Sequence, residues 1–181
     1  MEQESSTGTS SIAWFKLAEL IARKEREKAL NVFRLLSHSF NDRAYALQLE
    51  GDILSSLHDK GASEKYKQAA FLYQKEHQWV YAIALHENLL LLDQTNHDLL
   101  AELILAYAVI DWQEKFNERV HRVCLLFTQK SLDEHQFVKT FKPVADYLGT
   151  CETKDKQVTI VKNLYTVMSN YPNLPDLPYG F

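Results

Sequence analysis

The chain has 181 residues, of which 46% are hydrophobic, and carries a formal net charge of −4 at pH 7. This length and apolar content suffice for one compact core, and the interleaved charges argue against the concentrated basic face of a nucleic-acid-binding domain. Cys124 and Cys151 are too few for a disulfide scaffold or a four-ligand zinc site, which favours a reducing compartment. We therefore expect a cytoplasmic protein that does not bind nucleic acid.

The first residues differ in composition from the rest of the chain. Residues 1–10 are acidic and rich in Ser and Thr, the reverse of a signal peptide, and we expect them to form a disordered N-terminal lead. The most apolar later stretch, residues 99–110, contains Glu102 and is far shorter than the roughly 20 apolar residues of a membrane helix. We expect no membrane span.

From Ile12 onward, apolar residues recur at steps of three and four, which is the period of an α-helix. The chain contains 5 Gly and 4 Pro, so strong helix breakers are scarce. The pattern predicts an all-α fold of about nine helices joined by short connections. Their predicted spans are 11–23, 25–40, 43–58, 63–76, 78–93, 97–110, 112–128, 132–148 and 153–169.

Local signals mark several helix ends. Asn96 is the expected N-cap of the sixth helix, and Ser131 followed by Glu134 has the pattern of a capping box before the eighth. Gly61 is expected at the end of the third helix. Pro143 should kink the eighth helix or divide it in two, because proline removes a backbone donor.

A pattern of small and aromatic residues recurs with a period of about 34 residues, which is typical of stacked helix hairpins. The copy in residues 63–96 contains Tyr66-x2-Ala69-Ala70-x2-Tyr73, Trp79 and Ala82-x3-His86-x2-Leu89. The copy 34 residues later contains Leu100-x2-Leu103-Ile104-x2-Tyr107 and Phe116-x3-Val120-x2-Val123. The pattern resembles the tetratricopeptide repeat, most clearly over residues 63–128.

Two pairings of the N-terminal helices fit this resemblance. Either 11–23 pairs with 25–40, or 25–40 pairs with 43–58 and the first helix forms a leading cap; the second pairing keeps the 34-residue phase and is preferred. The resemblance implies a right-handed superhelix of antiparallel helix hairpins, a TPR-like α-solenoid, over residues 11–170. Residues 171–181 follow as an extended, Pro-rich tail. It is expected to strap the last helix or fray, or else to dock into a groove of this chain or of a neighbour through Leu174, Leu177, Tyr179 and Phe181.

The resemblance also implies a concave groove lined by the first helix of each repeat. Carried over by position, its residues are Glu64, Lys67, Phe71, Gln74, Asp98, Ala101, Leu105 and Ala108. Relatives that clamp a carboxyl terminus use Lys, Asn and Arg, whereas the matching positions here hold Phe71, Asp98 and Glu102. An apolar peptide or an amphipathic helix is therefore the expected ligand of the groove.

No catalytic, cofactor-binding or metal-binding motif occurs in the sequence. His121 and Cys124 share a helix face but lack two further ligands within reach, and we interpret them as a surface histidine above a buried thiol. His86, at a core position of the repeat, is expected to be a packed, hydrogen-bonded histidine. We do not expect an enzyme.

The leading interpretation is an adaptor or scaffold that binds another protein. An alternative is a small acidic chaperone of the TPR type that shields apolar segments of secreted or assembling proteins. A third interpretation, from another class, is an enzyme whose site forms only in three dimensions. The sequence leaves the oligomeric state open.

Overall fold

The computed structural model describes residues 4–179, with side chains from Ser11 onward, and is all-α over that range. The helices are α1 (Glu4–Ala22), α2 (Arg26–Ser37), α3 (Arg43–Ser56), α4 (Gly61–Lys75), α5 (Trp79–Leu92), α6 (His97–Val109), α7 (Gln113–Thr128), α8 (Glu134–Thr150) and α9 (Lys154–Met168). The predicted all-α class is confirmed. Helix α1 begins inside the segment expected to be a disordered lead; residues 1–3 of that segment lie outside the described range.

The helices group into two compact units, one ending at Gln78 and the other beginning at Trp79. The division falls inside residues 63–96, the clearest match to the repeat, so that α4 and α5 belong to different units. The sequence pattern does not anticipate this division. Over the described residues, no helix combines the length and apolar character that crossing a bilayer requires.

In the first unit each helix packs against the next one along the chain. The core between them contains Leu17, Leu20, Ala29, Leu30, Phe33, Leu36, Ile53, Leu54 and Ala62. Helices α3 and α4 pack against each other, with Gly51 of α3 against the ring of Tyr66 of α4. The Tyr66 hydroxyl donates a 2.8 Å hydrogen bond to Asp52, which fixes the ring in this position.

The second unit is built around α6, which packs against α5, α7 and α8, while α9 packs against α7. Eight residues of α6 are buried: Leu99, Leu100, Ala101, Leu103, Ile104, Ala106, Tyr107 and Ala108. Lys156 of α9 donates a 2.7 Å hydrogen bond to the carbonyl of Val109, the last residue of α6. A cation is favourable there because the carbonyl groups at a helix C-terminus lack intrahelical partners.

Five connections between helices share one backbone geometry. The second residue after each of these helices has a positive φ of 57–59°: Lys24, His58, His77, Asp111 and Lys130. The next residue then donates its backbone N–H to the carbonyl five positions earlier, over 2.7–3.0 Å. This is the bond of a Schellman motif, formed here without the usual glycine. The expectation that Gly61 ends the third helix is wrong, because α3 ends before His58 and Gly61 begins α4.

The predicted cap of α6 is confirmed, since Asn96 accepts a 3.1 Å hydrogen bond from the backbone of Leu99. The cap of α8 lies two residues later than predicted. Asp133 is its N-cap, and Asp133 and Gln136 exchange the two bonds of a capping box. Pro143 does not divide α8, which continues through it to Thr150.

The chain leaves α9 as a non-helical tail that returns to the second unit. The Tyr171 hydroxyl contacts the ring of His121 on α7, and the Tyr179 hydroxyl donates a 3.0 Å hydrogen bond to the carbonyl of Val138 on α8. The tail therefore contacts helices of its own unit, and it also borders α9, where Leu164 and Met168 share a pocket with Leu174 and Leu177. Phe181 lies outside the described residues.

Candidate functional site

The first half of the predicted groove lies on α4 in the first unit. Glu64, Lys67 and Phe71 are exposed, Phe71 to 63%, and Gln74 is half-buried. These side chains do project outward, as the repeat register requires. Their role in binding a partner stays a prediction.

The second half of the predicted groove lies on α6 in the second unit, where the outcome differs. Asp98 is exposed and pairs with Lys139 of α8 over 3.1 Å, and Leu105 is half-buried. Ala101 and Ala108 are 7% and 2% exposed. The expectation that Ala101 faces outward is wrong, because three neighbouring helices surround α6 and leave it no wide free face.

The residues assigned to the core of the repeat are buried as predicted. Ala69, Tyr73, Ala82, Leu103 and Tyr107 are each at most 3% exposed. Small residues at such positions allow helix axes to approach closely, and the tyrosines fill the remaining space. The spacing therefore gives the inward face of each helix correctly, although it does not give what covers the outward face.

Helix α5 has apolar residues on almost every side. Of its 14 residues, all but His86, Glu87 and Asn88 are apolar or aromatic. One side is buried in the second unit, and the other exposes Val80, Tyr81, Ala84, Leu91 and Leu92. A helix that is apolar all round is normally buried on all sides, so this exposed face is unusual for a surface helix.

Four consecutive leucines, residues 89–92, show how the exposed face arises. Successive side chains on an α-helix are rotated by roughly 100°, so four in a row cannot all point to one side. Leu89 and Leu90 are buried, whereas Leu91 and Leu92 are 73% and 75% exposed. The run therefore contributes two side chains to the core and two to the surface, and residue type alone does not distinguish the buried pair from the exposed pair. We call the exposed residues Val80, Tyr81, Ala84, Leu91 and Leu92 the α5 face.

A small cavity of about 160 Å³ borders the α5 face. It lies between α5 and α7, which both pack against α6, and is lined by Glu87, Leu90, Leu91, Gln94, Arg119 and Arg122. Leu91 belongs both to the cavity and to the exposed face. The cavity therefore adds polar and charged groups to a surface that is otherwise apolar.

A hydrogen-bonded cluster fixes one wall of this cavity. Nη2 of Arg119 donates to both carboxylate oxygens of Glu87 over 2.7 Å, and Nε donates to Oε1 over 3.0 Å. The Tyr107 hydroxyl donates to the same oxygen over 2.7 Å. Burial and this bond to a carboxylate raise the pKa of Tyr107 above its usual range. The cluster ties α5, α6 and α7 together and keeps the cavity wall rigid.

The histidine and cysteine candidates are placed as the sequence suggests. Cys124 is buried, which raises its pKa to about 12, and His121 is exposed and contacts Tyr171. His86 is buried, and burial lowers its pKa to about 4. Within the described residues, no three His, Cys, Asp or Glu side chains form a group that could hold a metal ion.

Another candidate surface lies in the first unit, where an open groove of about 200 Å³ runs between α1 and α3. Its lining residues are Trp14, Leu17, Ala18, Ile21, Leu49, Asp52, Ile53 and Ser56. Leu17 and Ile53 are already buried in the core, so an added ligand would cover little further apolar surface there. The α5 face, with four large side chains more than half exposed, is the stronger candidate.

The sequence reasoning missed Leu91, Leu92 and Arg122, because the repeat register directed it to α4 and α6. A detectable signal was present: a run of four leucines places apolar side chains on more than one side of a helix, so a side that no other element covers is exposed. Comparison of the chain with protein-family models, curated proteins and solved structures finds no match.

Proposed function

We propose that the chain is a protein-binding module, an adaptor or scaffold that holds an amphipathic helix of a partner protein against the α5 face. The observation that carries this proposal is the exposure of Val80, Tyr81, Leu91 and Leu92 on one side of a helix whose other side is core. Apolar surface of this kind gains free energy when a partner removes it from water.

The size of the exposed side chains supports a useful affinity. Full burial of one leucine side chain contributes about 1.5–3 kcal/mol, so Leu91 and Leu92 together offer ~3–6 kcal/mol before the costs of association are subtracted. Val80 and Tyr81 add to this at the other end of the helix. Two anchor pairs at opposite ends favour a partner segment that runs along α5.

The spacing of these anchors favours a helix as that partner segment. Val80 and Leu91 are eleven residues apart, which on a helix is about 16 Å or three turns. A partner helix of similar length with apolar residues at steps of three and four presents side chains at matching intervals. Helix α7 lies beside α5 on the surface of α6, so the partner would lie in the groove between them.

The fold-level part of the proposal is that the hairpins stack as a right-handed, TPR-like solenoid. Two features of the second unit support it: α6 packs against α8, and α7 packs against α9, as alternate helices do in stacked hairpins. The ion pair between Asp98 and Lys139 joins the first of these pairs. The α5 face lies on the second helix of its proposed repeat, outside the concave groove that the resemblance implies.

A displayed library of 16-residue helices provides the test. Four leucines are fixed at positions i, i+4, i+7 and i+11, the other positions are randomised, and binders are selected on the wild-type chain. We expect selected peptides to bind about tenfold or more weakly to Leu91→Gln and Leu92→Gln, since each change removes most of one anchor. Val158→Gln, which alters an equally exposed apolar residue on α9, is the matched control and should bind normally.

Two results would contradict the proposal. In one, no selected peptide depends on Leu91 or Leu92 more than on Val158. In the other, sedimentation shows that the wild-type chain dimerises and that Leu91→Gln abolishes the dimer, which makes a second copy of the chain the occupant of the α5 face. Circular dichroism melts of each variant verify that loss of binding is not loss of folding.

A further inference from the structure

Among the described residues, the lining of the cavity beside the α5 face includes one cationic side chain, Arg122, that makes no hydrogen bond and no ion pair. Arg122 is partly buried as a residue, and it lines the cavity together with Leu90, Leu91 and Gln94. A guanidinium has five N–H donors in a fixed planar fork that matches the two oxygens of a carboxylate. The guanidinium of Arg122 is therefore suited to bind a carboxylate that enters the cavity.

Two acidic residues close to Arg122 in the fold, Glu87 in the cavity wall and Glu118 on the same helix, are already engaged by other side chains. In the cavity wall, Glu87 accepts three hydrogen bonds from Arg119 and one from Tyr107. Glu118, one helical turn before Arg122, pairs with Lys115 over 2.6 Å and with Arg119 over 3.2 Å. The carboxylates of Glu87 and Glu118 are thus compensated by Arg119 and Lys115, whereas the positive charge of Arg122 has no ion pair within the described residues.

The cavity is suited to a small acidic group. Its volume of about 160 Å³ is several times the ~30 Å³ that one water molecule occupies in the liquid, which is enough for a carboxylate and its methylenes. Leu90 and Leu91 form its apolar part, and Gln94 contributes an amide at the rim. A carboxylate that entered would meet Arg122 while its methylenes contact the leucines.

From this arrangement we infer that the α5 face selects partner helices that carry one Asp or Glu beside their apolar stripe, and that Arg122 binds this carboxylate in the cavity. The inference rests on the proposed function and names the chemistry of its partner. Because Leu91 lines both the cavity and the exposed face, a partner leucine on Leu91 and Leu92 would lie one turn or less from the acidic residue. Arg122 thus sets the register of the bound helix, and the leucines supply most of the affinity.

The same helix library tests the inference. Peptides are selected in parallel on the wild-type chain and on Arg122→Gln, which keeps an amide donor but removes the charge. On the wild type we expect Asp and Glu to be enriched at one randomised position next to a fixed leucine, and on the variant we expect that enrichment to vanish. Lys162→Gln removes an exposed cation of α9 and is the control for net charge; its selected peptides should keep the acidic residue.

One selected peptide then gives a quantitative check. Changing its acidic residue to Gln should weaken binding to the wild type by roughly 10- to 100-fold, the lower end of the range for close interfacial charge pairs, and should have little effect on binding to Arg122→Gln. Raising the salt concentration should weaken the wild-type complex with the acidic peptide more than the complex with its Gln version.

The outcomes separate this inference from the proposed function. Peptides that depend on Leu91 and Leu92 but show no acidic enrichment, or the same enrichment on Arg122→Gln, overturn the role of Arg122 and leave the docking face intact. Absence of any Leu91-dependent peptide overturns the docking face itself. An acidic residue enriched equally on the wild type and on both charge variants would mean that the library reports general solubility, which also contradicts the inference.

Discussion

The ring of Tyr66 lies directly over the Cα of Gly51, so that a Cβ on Gly51 would be 2.7 Å from two ring carbons. Glycine inside a helix costs about 1 kcal/mol relative to alanine, yet Gly51→Ala should lower the stability of the chain by about 1–2 kcal/mol. The ring cannot withdraw easily, because its hydroxyl is bonded to Asp52 on the same helix as Gly51. Denaturant unfolding measures the change.

Gly149 is the matched control for this prediction. It lies in α8, and a Cβ there would meet no atom within 4 Å. Gly149→Ala should therefore raise stability by up to about 1 kcal/mol through helix propensity alone. If Gly51→Ala were as stabilising as Gly149→Ala, the close approach of α3 and α4 would be contradicted.

Burial of His86 makes the stability of the chain depend on pH. Its pKa is lowered to about 4 in the folded chain, whereas an unfolded histidine titrates near 6.5. Between these values the unfolded chain binds more protons, so this contribution to stability is complete above pH 6.5 and is lost as the pH falls toward 4. At its largest it is about 3 kcal/mol. Urea unfolding of the wild type and of His86→Gln from pH 4 to pH 7 should give curves that diverge in this window; parallel curves would show that His86 is not buried as a neutral ring.

A residue other than glycine in the left-handed backbone conformation destabilises the folded chain by about 1–2 kcal/mol, and substitution by glycine removes most of this strain. Lys24 has a φ of 57° and its side chain makes no hydrogen bond or ion pair within the described residues. Lys24→Gly should therefore raise the free energy of unfolding by about 0.5–1 kcal/mol, as thermal denaturation would report. Lys24→Ala keeps the strained backbone and should give no gain, and equal gains from the two changes would mean that charge removal is the cause.

Leu103 is fully buried in α6, whereas Leu105 on the same helix is half-buried. Leu103→Ala should cost about 2–5 kcal/mol, because it removes transfer free energy and leaves a cavity at the centre of the second unit. Leu105→Ala should cost clearly less in the same denaturant titration. Equal losses at the two positions would contradict the orientation of α6.

Helix positions were predictable because each inward stripe repeats with the helical period over three or more turns. Some helix ends were not predictable, and α8 shows why. Ser131 with Glu134 and Asp133 with Gln136 both fit a capping box, so the sequence offers two starts. The Schellman turn at Lys130 decides between them, because it uses the backbone N–H of Ser131 for a bond to Leu126 and delays the helix.

Features that depend on contacts with other helices could not be predicted from the sequence pattern. Ala101 has the register of a groove residue, and it is buried because α8, more than thirty residues later, packs on α6. Arg122 is spaced to pair with Glu118, and it stays without a partner because Lys115 and Arg119 occupy that carboxylate. Both outcomes depend on which of several side chains or helices occupies a given contact in the folded chain, and a periodic pattern along one helix does not encode this.

The five Schellman connections also bear on how quickly the chain folds. Each closes a hydrogen bond that spans five residues, so the loop that must close is very short and closes on the scale of ~10–100 ns. Four of them, at Lys24, His58, Asp111 and Lys130, join helices of the same unit, and these neighbouring helices can meet before any distant segment has been found. We expect refolding in microseconds to milliseconds, as in other proteins dominated by local contacts, with the tail docking of Tyr179 onto α8 among the last steps.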